Sequence, residues 1–96
     1  MEKFSNGPNG MEPWIETYSG KKFDYLAQSE LDIEDIAHAL SNLCRFNGHT
    51  RVFYSVAEHS VNVSSMVPPE LKIAALLHDA AEAYIGDVPS PLKQLI

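Results

Sequence analysis

The segment Leu76-Leu77-His78-Asp79-Ala80-Ala81-Glu82 sets a histidine and two carboxylates into an otherwise apolar stretch. A carboxylate without a compensating partner is costly in such surroundings, so the segment asks for a cation. Imidazole together with carboxylate suits a divalent Mn, Fe, Co, Ni or Zn ion. His59, in Ala57-Glu58-His59-Ser60, offers a second imidazole from a separate expected helix. Glu82 follows His78 by four residues and Asp79 by three, so on a helix it shares their side without having to be a ligand. An ion that activates water needs a neighbouring base or proton shuttle, and Glu82 suits that role. Asp87, in the loop after the helix, could orient the water or a ligand from behind. The bland alternative is a hydrogen-bonded core histidine beside a solvated aspartate. Three polar groups interrupting one core-like helix weigh against it.

A second group of residues, Arg45, Phe46, His49 and Arg51, lies between two expected helices. Arginines near a metal could clamp phosphate oxygens through bidentate hydrogen bonds. Phe46 could pack on a sugar or base, and His49 could donate to a phosphate. The competing reading is a solvated loop in which Phe46 anchors the core. His38 sits within a helix without a partner motif and reads as structural.

The elements that must position these groups follow from periodicity and capping. Asn6-Gly7-Pro8-Asn9-Gly10 is turn chemistry, so residues 1–13 read as a flexible tail. Trp14–Tyr18 and Lys22–Leu26 read as short strands around the turn Ser19-Gly20, compatible with a small hairpin. A first helix starts at the N-cap Asp32. Its stripe Ile33, Ile36, Ala37, Leu40, Leu43, Cys44 runs to Arg45-Phe46, and Asn47-Gly48 stops it. Ser55 with Glu58 forms a capping box for a second helix, on which Val56, His59, Val63 and Met66 share a face up to Val67-Pro68-Pro69. A third helix is expected from about Glu70 to Ile85, ended by Gly86, and a fourth from Leu92 after Ser90-Pro91.

Composition bounds the function. Ninety-six residues suit one domain, and 45% of them are hydrophobic. A net charge of −6 argues against a nucleic-acid polymer as partner, though not against a local basic pocket for a small phosphate. The one cysteine, Cys44, forms no intramolecular disulfide. No secretory leader or membrane-spanning stretch is evident, so the expected compartment is cytoplasmic with no membrane partner.

Four segments, spread over about residues 14–96, carry a resemblance. They are Asp35–Ser41, Arg45–Arg51, Tyr54–Ser60 and, most specific, His78-Asp79-x-x-Glu82 followed by Gly86-Asp87-x-Pro89-x-Pro91-x-Lys93. In these the chain resembles the HD-domain metal-dependent phosphohydrolases, and within them the bacterial 5′-deoxynucleotidases and phage deoxynucleoside triphosphate hydrolases. The resemblance implies an all-α HD-domain helical bundle, with room for the N-terminal hairpin, around one divalent ion (Mn, Co, Zn, Mg or Fe). It assigns His59, His78 and Asp79 as metal ligands, Glu82 as the catalytic glutamate and Asp87 as a further active-site acid. Arg45 matches an arginine that contacts substrate phosphate, and Phe46 an aromatic near the sugar. The substrate would be a nucleotide or other small phosphate ester.

The family's final aspartate ligand lies on a later helix, and no acid follows Asp87 here. The expectation is therefore residues 14–96 as the N-terminal part of a truncated HD domain, with exposed apolar faces and self-association into a homo-oligomer. A catalytically incomplete module that binds nucleotide or a protein partner is the alternative, and a metal-free helical interaction domain the blandest one.

Overall fold

The computed structural model describes residues 13–96, so all of the expected tail except Pro13 lies outside the described residues. The chain divides into two compact units, one up to Asp35 and the other from Ile36 to Ile96.

In the first unit, strands β1 (Trp14–Glu16) and β2 (Lys22–Asp24) pair antiparallel, with Ile15 opposite Phe23. Aromatic and β-branched side chains favour such pleated pairing. Gly20 turns the chain at φ +89°, a conformation that suits glycine. The expected all-α bundle is thereby corrected. An antiparallel two-stranded sheet in addition to the helices makes the fold mixed α and β.

Helix α1 (Ile33–Asn42) begins where its cap predicts, with Asp32 Oδ1 accepting the Glu34 N–H at 2.8 Å. Within the first unit, Asp35 is buried and accepts from the Ser19 N–H at 2.7 Å and the Ser19 hydroxyl at 2.8 Å. Burial pushes its carboxyl up, but the hydrogen bonds from Ser19 and Thr17 outweigh burial and hold it below the ordinary value. Asp35→Ala is expected to cost about 2 kcal/mol at neutral pH, because the Ser19 donors lose a charged acceptor. The folded pKa is depressed, so this contribution exists above the unfolded pKa and disappears as pH falls through the folded value. The gap between urea melts of wild type and variant should therefore begin to narrow as pH falls below about 3.8 and close only below the depressed folded value.

In the second unit α1 ends at Asn42, earlier than the stripe through Leu43 and Cys44 suggested. Cys44 instead forms an antiparallel bridge with Ser55, and the Arg45 N–H donates to Tyr54 O at 2.9 Å. This pairing draws the chain out of the helix and sets Arg45 beside the start of α2 (Val56–Ser64). The Ser55 hydroxyl caps α2 by accepting from the Glu58 N–H at 3.0 Å.

The buried residues of α2 are Val56, Ser60 and Ser64, and of the stripe Val56, His59, Val63 and Met66 the first is buried, His59 and Val63 are half-buried and Met66 is exposed. The Ser64 hydroxyl is turned back on the helix, donating to Val61 O at 2.7 Å, whereas Ser60 Oγ is buried without a hydrogen-bond partner among the described residues. Ile36, Leu40 and Val56 make the core, flanked by Leu43, Ala57, Ala80, Ala83 and Tyr84. Ile73, Leu77, Ile85 and Leu92 stay exposed.

The single helix expected over residues 70–85 is resolved into parts. A 3₁₀ turn (Pro69–Leu71) leads into α3 (Lys72–Leu77), then a tight turn at residues 78–81, then α4 (Glu82–Ile85). Bonds from Ala80 N to Leu77 O, Glu82 N to Asp79 O and Ala83 N to Ala80 O all span three residues. The backbone remains helical in sense but is wound to 3₁₀ pitch at the His78-Asp79 pair. A short α5 (Ser90–Lys93) follows Pro89. Among the described residues no helix is long and apolar enough to cross a membrane.

Candidate metal centre

His59 projects from the first turns of α2, and His78 and Asp79 from the turn after α3. One ligand atom from each of the three lies within 4.8 Å of the others. Asp79 Oδ2 is 3.1 Å from His78 Nε2 and 3.9 Å from His59 Nε2, and the two imidazole rings are 5.4 Å apart.

The tautomer of His78 gives these distances chemical meaning. Its Nδ1 bonds to the Ala75 carbonyl, which can only accept, so Nδ1 carries a proton. A neutral His78 then presents a bare Nε2 lone pair to a carboxylate oxygen at 3.1 Å, which is repulsive unless a cation lies between them. A divalent ion or a second proton on His78 satisfies that demand. His59 is held toward its neutral form by burial and by the nearby Arg45 charge, against the pull of Asp79. Neutral imidazole is the ligating form. Two imidazoles and a carboxylate oxygen fit a borderline divalent ion, and three protein donors leave positions open.

The 3₁₀ pitch brings Glu82 to this centre, since residues three apart eclipse on such a helix. Glu82 is 6% exposed, and its Oε1 is buried without a hydrogen-bond partner among the described residues. Burial first, then the charges of Asp79 and Asp87, raise its carboxyl to about 7. A group with that value can both take and give a proton near neutrality.

Asp87 follows Gly86, whose φ of +87° breaks α4, and its Oδ2 accepts the Asn47 N–H at 3.2 Å. That contact pins an unusual turn. Phe46 and Asn47 both have left-handed backbones, at φ 56° and 54°, and Gly48 continues at 86°. Asparagine tolerates that conformation, but it costs a phenylalanine of the order of 1–2 kcal/mol, so the turn needs external support. Its effect is to bring the Phe46 ring against Arg45, whose guanidinium lies 4.5 Å from the Phe46 ring centre and 5.4 Å from that of Tyr54. The Tyr54 hydroxyl accepts from the Asn62 amide at 3.2 Å, and the Tyr54 ring meets His59 edge-on. Tyr54 thus touches both the candidate phosphate-binding arginine and a candidate ligand.

Arg45, Phe46, Asp79, Glu82, Asp87 and Lys93 line a common cavity of about 90 Å³, with Val88, Pro89 and Ser90 completing its wall. That is room for several waters or one compact anion. The structure therefore brings together His59, His78 and Asp79, and around the adjoining cavity Glu82, Asp87, Arg45 and Phe46. His49 and Arg51 are exposed and are not among the cavity's lining residues.

Tyr54 and Lys93 both stand in segments that carry the resemblance, but those segments assign neither a role. Tyr54 falls next to the capping serine, and its pairing with Arg45 is set by the Cys44–Ser55 bridge, which no local pattern announces. Lys93 closes the Gly86-Asp87-x-Pro89-x-Pro91-x-Lys93 run, and that regular spacing was an available signal.

No family model matches the chain. Two curated relatives align over most of it. One is the uncharacterized protein YfdR of Escherichia coli K12, 52% identical over 85 residues, which cover 86% of this chain and 48% of that protein. The other is the uncharacterized protein RCAP_rcc00048 of Rhodobacter capsulatus, 40% identical over 94 residues, covering 86% of this chain and 48% of that protein. The chain spans about half the length of the curated relatives it matches.

Proposed function

We propose that this chain carries a metal-dependent phosphohydrolase centre of the HD type that acts on a nucleotide phosphate in the cytoplasm. The observation that carries the reading is the convergence of His59, His78 and Asp79 on one point, with a raised, buried glutamate and an arginine around the adjoining cavity. A bound divalent ion would supply Lewis acidity toward the phosphoryl group and toward water.

The chain's own residues supply the rest. Glu82, its carboxyl poised near 7 and Oε1 unpartnered, takes the proton of the attacking water. Arg45, flanked by Phe46 and Tyr54, neutralises phosphate charge as it develops, and its preset position removes reorganisation from that step. Asp87 keeps the left-handed turn closed, and with it the orientation of Phe46 toward a sugar or base.

A second reading, a module that binds a nucleotide without turning it over, is favoured by one feature. Only three donors converge among the described residues. One experiment separates the two. Protein freed of metal, then reloaded with Mn or Co, is assayed against a panel of nucleoside mono-, di- and triphosphates. Metal-dependent release of phosphate supports the hydrolase. Metal uptake with nucleotide binding but background hydrolysis supports the binding module. No metal uptake removes both.

A further inference from the structure

The cavity beside the metal centre contains a charge that the proposed mechanism leaves unused. Lys93 lines it from α5, and its Nζ is 3.7 Å from Glu82 Oε2, beyond good hydrogen-bonding distance. The Lys93 side chain is half exposed, whereas that of Glu82 is buried. A flexible ammonium held this loosely can be drawn to a better acceptor with little loss.

The cavity's charge balance shows what that acceptor would be. Its lining contains three carboxyl groups, Asp79, Glu82 and Asp87, and two cations, Arg45 and Lys93. With all of them ionised the cavity is net negative and repels an anion. A divalent ion held through Asp79 turns the balance to a single positive charge, and without Lys93 that surplus falls to zero. Arg45 is the less adaptable of the two cations, because it packs against both the Phe46 and Tyr54 rings. Lys93 approaches from a different element, α5, which starts after the extended Pro89, so the two can meet different oxygens of one tetrahedral group.

We propose that Lys93 is a substrate-binding residue that, with Arg45, grips a single terminal phosphate group, and that it moves from Glu82 to that phosphate when substrate binds. The site then takes a phosphomonoester or the terminal group of a longer phosphate chain. Departure of Lys93 leaves Glu82 free to face water. This inference rests on the metal-centre reading above and adds a residue to it.

The test uses inorganic phosphate as the probe on the Mn-loaded full chain. Mn uptake is titrated first, then phosphate, by calorimetry, for wild type, Lys93→Gln and Lys93→Arg. Lys93→Gln should weaken phosphate binding about 10-fold or more, as expected for loss of a charge-assisted contact. Its Mn affinity should stay within about 2-fold, because Lys93 touches none of the three candidate ligands. Lys93→Arg, which keeps the charge, should recover most of the binding. Phosphate affinity in Lys93→Gln equal to wild type overturns the proposal and leaves the metal centre standing. Mn uptake by wild type without any phosphate binding does the same. Absence of Mn uptake by wild type overturns the underlying metal-centre reading itself.

Discussion

Asp79→Ala is expected to abolish both divalent-metal uptake and any phosphohydrolysis by this chain. Asp79 supplies the oxygen on which both imidazoles converge, at 3.1 and 3.9 Å, and is the sole acidic member of the trio. Even the loss of a supporting contact behind a metal ligand weakens a site by about 10–100-fold, and loss of the charged ligand itself should exceed that. The readout need not be activity. Metal at about 100 times its Kd stabilises a folded protein by about 2.7 kcal/mol. For a domain of this size that raises the melting temperature by roughly 10–20 °C. Wild type should show that rise with Mn or Co, and Asp79→Ala should show none. The competing account is that a second proton on His78 satisfies the Asp79 carboxylate as a plain ion pair. It predicts that neither protein melts higher with metal and that Asp79→Ala is simply less stable. A flat metal response in wild type would decide for the ion pair.

The parts of this centre differ in how far local pattern exposes them, and the difference is physical. His78, Asp79 and Glu82 stand out in sequence because charge inside an apolar run violates the usual economy of burial. Caps are equally legible, since Asp32 and the Ser55–Glu58 box act over three residues or fewer. The 3₁₀ pitch at residues 78–81 is not legible. Alanines at 80 and 81 accept either winding, and packing of Ala80 and Ala83 on the core selects between them. The left-handed Phe46-Asn47 turn is half legible. Asn47-Gly48 announces a reversal, but a phenylalanine at φ 56° depends on Asp87, forty residues away. The burial of Ser60 and Ser64 on α2 is not legible, because a hydroxyl counts as polar in hydrophobic periodicity although a side chain this small, back-bonded in Ser64, fits beside the core. The all-α expectation failed for a different reason. The four segments that carry the family likeness begin at Asp35, whereas the sheet lies in Trp14–Asp24, ahead of all of them.

Glu82→Gln should separate proton transfer from metal binding. Gln keeps the shape and removes the proton-accepting carboxylate, so hydrolysis should fall by about 10²–10⁴-fold. Metal uptake should persist, since the three candidate ligands are intact. An equal loss of both would make Glu82 a ligand rather than a base. The same variant reports on stability in the metal-free protein. The Glu82 carboxyl sits at about 7 in the fold, against an ordinary value of 4.5, because it is buried beside Asp79 and Asp87. With the folded value raised, the stabilising contribution is complete below the unfolded pKa and is lost as pH rises through the folded one. Metal-free wild type should therefore lose up to about 3 kcal/mol between roughly pH 4.5 and pH 7 from this group. Glu82→Gln has no charge to suppress and should show a flatter profile, becoming the more stable protein at pH 8. Parallel profiles for the two would mean that Glu82 is ionised in the fold without penalty. Its part as a group poised to exchange a proton near neutrality would then be lost, whatever the hydrolysis assay showed.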